Sequence, residues 1–432
     1  MLHIIGLGID QPVQLSEQAL INLRQADCVI GSQRQLASVA ALHQQPNKAL
    51  PKLSELKQLI DTFDIKNNNL VILASGDPLL FGIGRWLTKN FDSSLLNFYP
   101  APSSLQAACH RLKLSFQDCE FLSLHGRPSE NIRSALKDQQ TLLILTDQHS
   151  NPQRLAQECV AAGYHQAEIS VLSDLGYPHE QIQHFIATDL SELDQVFPEL
   201  HVSVIKTHGV SRCFPQFPGI PDEEFITGKA PGKGLITKRE VRLAALSLLQ
   251  PANGDVGWDI GAGCGALAVE WAYWNQQQTV YAIEHHTQRF QCLQQNQKRF
   301  GVSHNLKPLH QRAPQILADL PAANKIFIGG SDGELEQLLQ QCWQQLPLLS
   351  DQRSILVASA VTEDSKFILM RFYQSLQRSS ASPAGNKHYQ ARCETLQLSV
   401  SKGEQLAGQM LYRPNLPVTL FSFEKIPCGE SA

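Results

Sequence analysis

Three glycines at alternate positions, Gly261, Gly263 and Gly265, separate an apolar run from a helix-forming run. Asp255-Val256-Gly257-Trp258-Asp259-Ile260 before them reads as a strand, and Ala266-Leu267-Ala268-Val269-Glu270-Trp271 after them as a helix. The first two glycines allow tight turning and let the backbone come close to a cofactor. The helix start then offers unpaired N–H groups. Thr279-Val280-Tyr281-Ala282-Ile283 reads as a second strand, and Glu284 at its end lies 19 residues past Gly265. A carboxylate there is placed to accept hydrogen bonds from ribose hydroxyls. Dinucleotide enzymes carry such an acid too, so Glu284 alone does not identify the cofactor.

The first half has its own strand-end loops. His3 to Ile9 is an apolar run containing Gly6 and Gly8, and Cys28-Val29-Ile30-Gly31 is a second short strand. Ser16 to Ala26 reads as a helix with Ser16 as its N-cap. Leu70-Val71-Ile72-Leu73-Ala74 suits a strand buried on both faces of a parallel sheet. Ser75-Gly76-Asp77-Pro78 stops it. Gly76 allows close approach of a ligand, and Pro78 suits the first turn of a following helix. Leu142 to Asp147 repeats the strand-then-polar pattern, so the half is an α/β domain.

Length and charge set the organisation. The 432 residues suggest two or three domains. The formal net charge of -4 divides unevenly. Residues 1–206 hold 15 basic and 21 acidic side chains, net -6, and the rest of the chain is +2. The change falls beside a Pro/Gly-rich stretch, which predicts domains at 1–206 and 216–432 joined by a linker at 207–215. Mild acidity argues against bulk binding to nucleic acid or an anionic membrane. The ten cysteines form no CxxC pair, and no apolar run is long enough to span a membrane. The expectation is a reduced, cytoplasmic protein with no metal site. His285-His286 fits a structural or surface role, because adjacent side chains diverge.

Several motifs in order carry a resemblance. Ile4-Ile5-Gly6-Leu7-Gly8, then Val71 to Gly84, then Tyr99-Pro100-Ala101-Pro102-Ser103-Ser104 resemble the tetrapyrrole methylase family. Leu122 to Pro128 and Leu172 to Gly176 are similar to its precorrin C-5 branch. The resemblance implies S-adenosylmethionine in a cleft between two α/β lobes. Gly6, Gly8, Gly76, Asp77, Ser103 and Ser104 would contribute to that cleft, with Asp77 near the methionine moiety. As residues alone, Asp77 is equally a turn former. His125 is a loop histidine or a substrate contact, and Arg127 is solvated or pairs with a substrate carboxylate. Gly31-Ser32 stands where the family usually has paired glycines.

The second half, residues 216–425, resembles the decarboxylating precorrin C-15 methyltransferases. The flanking motifs Gly219 to Phe225, Leu235 to Arg242, Arg312-Ala313-Pro314, Ile326 to Ser331 and Val357 to Thr362 carry this likeness. It implies that Thr237, Gly261, Ala262, Gly263, Cys264, Gly265, Glu284 and Ala313 contact S-adenosylmethionine. Two departures are Ser359, usually asparagine, and Ser331-Asp332-Gly333, usually Ser-Gly-Gly. Lys229, Lys233, Lys238, Arg239 and Arg242 put five cations against Glu240 within residues 226–242. Such a run is either a solvated face or a sleeve for a polycarboxylate. Phosphate or RNA would fit the same cations.

Together the halves resemble fused precorrin-6Y C-5,15-methyltransferases (decarboxylating) of cobalamin biosynthesis. The implied fold is α/β throughout, a two-lobed tetrapyrrole methylase fold followed by a Rossmann-like class I methyltransferase fold. The implied ligands are a precorrin substrate and S-adenosyl-L-methionine at two sites per chain. Lys229, Lys233, Lys238, Arg239, His125 and Arg127 are the candidate substrate contacts. A homo-oligomer, dimer or tetramer, is expected, without nucleic acid or membrane. The sequence names no acid or base.

Overall fold

Leu70–Ala74 is buried at every position, as its unbroken apolar run requires. The computed structural model describes residues 1–65, 67–147, 149–211, 214, 216–234, 236–380 and 389–427. Arg212, Cys213 and Pro215 of the expected linker, Leu235 and Cys428 lie outside the described residues. The chain forms two compact units, Met1–Ser129 with Leu136–Val210, and Glu130–Ala135 with Ser211–Ala432.

The first unit has two sheets. Strands β1 (Leu2–Gly6), β2 (Cys28–Gly31), β3 (Asn47–Ala49), β4 (Leu70–Ala74) and β5 (Leu96–Tyr99) make a parallel sheet of order β3-β2-β4-β1-β5. Its alternate side chains feed two cores. Ile4, Ile30 and Ile72 point into one, and Ile5, Val29 and Val71 into the other. Ser16 caps the helix Glu17–Arg24, its Oγ accepting the Ala19 N–H. The helix expected from Pro78 instead starts at Gly84. The intervening residues close a tight loop in which the Gly84 N–H bonds the Pro78 carbonyl at 2.9 Å. That carbonyl is taken by the loop, so Pro78 does not open a helix.

The second sheet has order β6-β7-β10-β8-β9, from β6 (Glu120–Ser123), β7 (Thr141–Leu145), β8 (Glu168–Ser173), β9 (Gln181–Ile186) and β10 (His201–Lys206). Only β6 and β7 pair in parallel.

The second unit holds a sheet of order β13-β12-β11-β14-β15-β19-β16. Its members are β11 (Val256–Ile260), β12 (Thr279–Ile283), β13 (Leu306–Leu309), β14 (Lys325–Ile328), β15 (Ser354–Ala360), β16 (Tyr389–Leu398) and β19 (Val418–Pro427). The first five in that order run parallel, β19 runs against them, and β16 pairs antiparallel with β19. Strands β17 (Ser401–Leu406) and β18 (Gln409–Pro414) form a separate hairpin. Among the described residues no helix is long and apolar enough to cross a membrane.

Candidate functional sites, one in each unit

In the first unit the loops after β1, β4 and β5 meet. Chain order reverses between β4 and β1, which is where open parallel sheets bind ligands at their carboxyl ends. Gly76 has φ +64°, and a Cβ there would lie 2.7 Å from Ser103 Cα. A side chain at Gly76 would therefore push the loop carrying Ser103 away. Ser103 is the N-cap of the helix Ser104–Leu112 in a capping box with Gln106. The loops border a cavity of about 580 Å³. Gly8, Gly76, Ser103, Ser104 and His125 line it, whereas Gly6, Asp77 and Arg127 do not. Gly6 sits behind the lining, packed against the carbonyl of Gly76. Asp77 Oδ1 accepts the Leu79 N–H at 2.8 Å, a turn-forming bond. Arg127 is exposed.

The second sheet supplies lining groups that the sequence did not single out. Asp147, just past β7, accepts from Gly126 N at 2.6 Å, His149 N at 2.9 Å, Ser150 N at 3.0 Å and Ser150 Oγ at 2.9 Å. Burial alone would raise its pKa, but these donors outweigh burial and bring it down to about 2. The ionised carboxylate thereby fixes the turn that carries His125. His201 lies between Thr146 Oγ1 and the Pro198 carbonyl, each at 2.7 Å. A carbonyl only accepts, so Nδ1 carries the proton and Nε2 accepts from Thr146 in the neutral ring. Burial lowers the His201 pKa and favours that neutral form.

In the second unit the loops after β11 and β14 cross at the reversal of strand order. Gly261 has φ +71°, and a Cβ there would lie 2.6 Å from the Gly330 carbonyl oxygen. Its N–H and that of Ala262 both bond the Ile283 carbonyl at 3.0 Å. Glu284, 3% exposed, accepts from Gly263 N at 2.8 Å and His286 N at 2.7 Å. Those bonds leave lone pairs on both oxygens for ribose hydroxyls. Cys264 is buried, and burial with the neighbouring Cys292 thiol pushes its pKa up. Gly265 is the left-handed N-cap of the helix Ala266–Trp274. Ala313 follows β13 and is half-buried against the core.

The sequence also passed over Asn296, which is fully buried. Its Nδ2 donates to Cys264 O at 2.8 Å and to Ile226 O at 2.9 Å, tying the glycine loop to the preceding segment. The cation run at 226–242 separates into inward and outward members. Arg242 is 0% exposed, so it is not part of a solvated face or a substrate sleeve. It bonds Asp222 at 2.7 Å, Glu270 at 2.9 Å and the Thr237 carbonyl at 2.7 Å. Lys238 donates to Gly232 O at 2.8 Å. Lys229, Lys233 and Arg239 are exposed. His285 and His286 are exposed as well.

Comparison with known proteins covers nearly the whole chain. Residues 1–194 match the family model of tetrapyrrole (corrin/porphyrin) methylases, and residues 231–425 match that of the precorrin methyltransferase domain. A precorrin-6Y C(5,15)-methyltransferase [decarboxylating] of Sinorhizobium sp is 32% identical over 98% of this chain and 96% of its own. The Mycobacterium tuberculosis protein of the same name is 31% identical over 98% of this chain and 100% of its own. A crystal structure of precorrin-6y C5,15-methyltransferase from Geobacter metallireducens is 30% identical, with a TM-score of 0.40, over 49% of this chain and 98% of its own. The chain belongs to the decarboxylating precorrin-6Y C(5,15)-methyltransferases, a family of S-adenosylmethionine-dependent enzymes.

Proposed function

We propose that the chain methylates a precorrin-6 intermediate at carbons 5 and 15 and removes the ring C acetate carboxyl as carbon dioxide, giving precorrin-8. The labour divides between two S-adenosylmethionine sites. Residues 1–206 act at carbon 5, residues 216–432 act at carbon 15 and decarboxylate, and residues 207–215 link them. The observation that supports this is the pair of strand-end glycine loops, one in each unit, each at a reversal of strand order.

The residues present fit the cofactor. The first cavity, about 580 Å³, is of small-molecule size. In the second unit the buried Glu284 keeps acceptor capacity beside a glycine turn that a side chain would fill. Bound S-adenosylmethionine supplies a methyl on a sulfonium, already an electrophile. The protein's part is to hold the carbon nucleophile, methyl and leaving sulfur in line and to exclude water. Gly8, Gly76, Ser103 and Ser104 shape the first site. Thr237, Gly261 to Gly265, Glu284 and Ala313 shape the second. The raised pKa of Cys264 keeps its thiol protonated, so it serves packing instead of nucleophilic attack. Exposed Lys229, Lys233 and Arg239 are available to substrate carboxylates. In this reading the enzyme is a cytoplasmic homo-oligomer, working without nucleic acid or membrane.

Mass spectrometry of the product tests the reading. With the precorrin and S-adenosylmethionine, the product should gain two methyl groups and lose one carbon dioxide. A product with one methyl, or with the carboxyl retained, would contradict it.

A further inference from the structure

Among the described residues lining the first unit's cavity, Arg34 is the sole lysine or arginine. Its guanidinium donates to two neutral hydroxyls, Ser75 Oγ at 3.3 Å and Tyr177 OH at 3.5 Å. No ion pair joins it to a carboxylate among the described residues. Among the described residues two acids share the lining: Asp147 is turned to its own loop by four hydrogen bonds, and Glu199 makes no ion pair with Arg34. A guanidinium has five N–H donors in a planar fork, and Arg34 is exposed, so in the free protein water takes the donors that the two hydroxyls leave.

Local structure holds Arg34 in place against a local preference. Ser32 caps the helix Gln33–Val39 in a capping box with Gln35. That puts Arg34 in the first turn, where the helix dipole disfavours a cation. Gln35 Nε2 also donates to Ser75 Oγ, at 3.1 Å, so the helix start is tied to the loop that carries Gly76. A cation set against the dipole, lining a cavity and joined to no carboxylate in an ion pair, breaks a local rule. Such positions are where function is expected.

We propose that Arg34 is the carboxylate anchor of this cavity. The inference rests on the function proposed above, which brings two sources of carboxylate there: the acetate and propionate groups of the tetrapyrrole, and the α-carboxylate of S-adenosylmethionine. A charge-assisted fork to either one fits the donors left to water.

The test uses the full chain with Arg34→Gln and Arg34→Lys. The dissociation constant of S-adenosylmethionine is measured by calorimetry, and KM for the precorrin from C-5 methylation. C-15 methylation in the same sample reports that the protein is folded. Arg34→Gln should raise one of these constants about 10-fold, and Arg34→Lys by less. A rise in KM alone assigns the partner to the tetrapyrrole, and a rise in the cofactor constant assigns it to the cofactor. Both constants within about twofold of wild type, in an enzyme active at both carbons, would overturn the anchor. A wild type that binds S-adenosylmethionine but never methylates carbon 5 would contradict the proposed function instead.

Discussion

Two acids at the ends of adjacent parallel strands in the second unit differ in their partners. Glu284 has backbone N–H donors on both oxygens, whereas Asp259 is 1% exposed with Oδ2 unpartnered. Burial, with the Glu284 charge beyond it, raises the Asp259 pKa to about 7, against the opposing Ala268 N–H. An unfolded aspartate titrates near 3.8. Between these values the native state keeps a proton that the unfolded chain has released, so stability falls as pH rises through that window. Asp259→Asn keeps the shape and stays neutral. Wild type and variant should unfold alike below about pH 4. The variant should then gain on wild type up to about pH 7, by on the order of 4 kcal/mol. Denaturant unfolding at a series of pH values checks this, and parallel curves would contradict it.

The helix Arg239–Leu249 shows how an element is tied to a site. Its N-cap, Lys238, offers no side-chain bond, so Asp222 Oδ1 accepts the Arg239 N–H at 3.0 Å instead. Arg242 then joins Asp222, Glu270 and Thr237 O with no exposure to solvent. Removing one member of a buried charge network leaves the others unpaired. Arg242→Ala should therefore destabilise the second unit by about 3–5 kcal/mol while C-5 methylation persists. A loss below about 1 kcal/mol by denaturant unfolding would contradict the network's role. This element also shows what a sequence conceals. Strand, glycine turn and helix were legible at residues 255–271 because their signals are local. Arg242 looked like one cation of a solvated or ligand-binding run, because Asp222 and Glu270 are 20 and 28 residues away from it. Arg34, Tyr177 and His201 reach one cavity from three distant segments, and no local pattern announces that. Pro78 misled because the glycines after it close a loop where a helix was expected.

Across the whole chain, β1, β2 and β4 of the first unit and β11 and β12 of the second were readable from apolar runs ending at glycines or an acid, whereas β3, exposed at every position, was not. The pairing of β16 with β19 was not readable either, since strand pairing over long separations leaves little local trace. The β17–β18 hairpin is local, closed at Ala407-Gly408, but its strands are almost wholly exposed and carry no buried-face alternation to mark them. Under the proposed function, the net charge of -6 before residue 207 does not favour a polycarboxylate, so the first unit would rely on a local cation and the second, at +2, on several. The first lines its cavity with one arginine, and the second exposes Lys229, Lys233 and Arg239. Each unit is proposed to carry its own S-adenosylmethionine site. Gly76→Val and Gly261→Val each put a side chain where the backbone leaves no room, at Ser103 and at Gly330 respectively. The most direct measurement is calorimetric titration of S-adenosylmethionine into the wild type and these two variants. Two equivalents per chain are expected for the wild type and one for each folded variant. One equivalent for the wild type, or none for either folded variant, would contradict it.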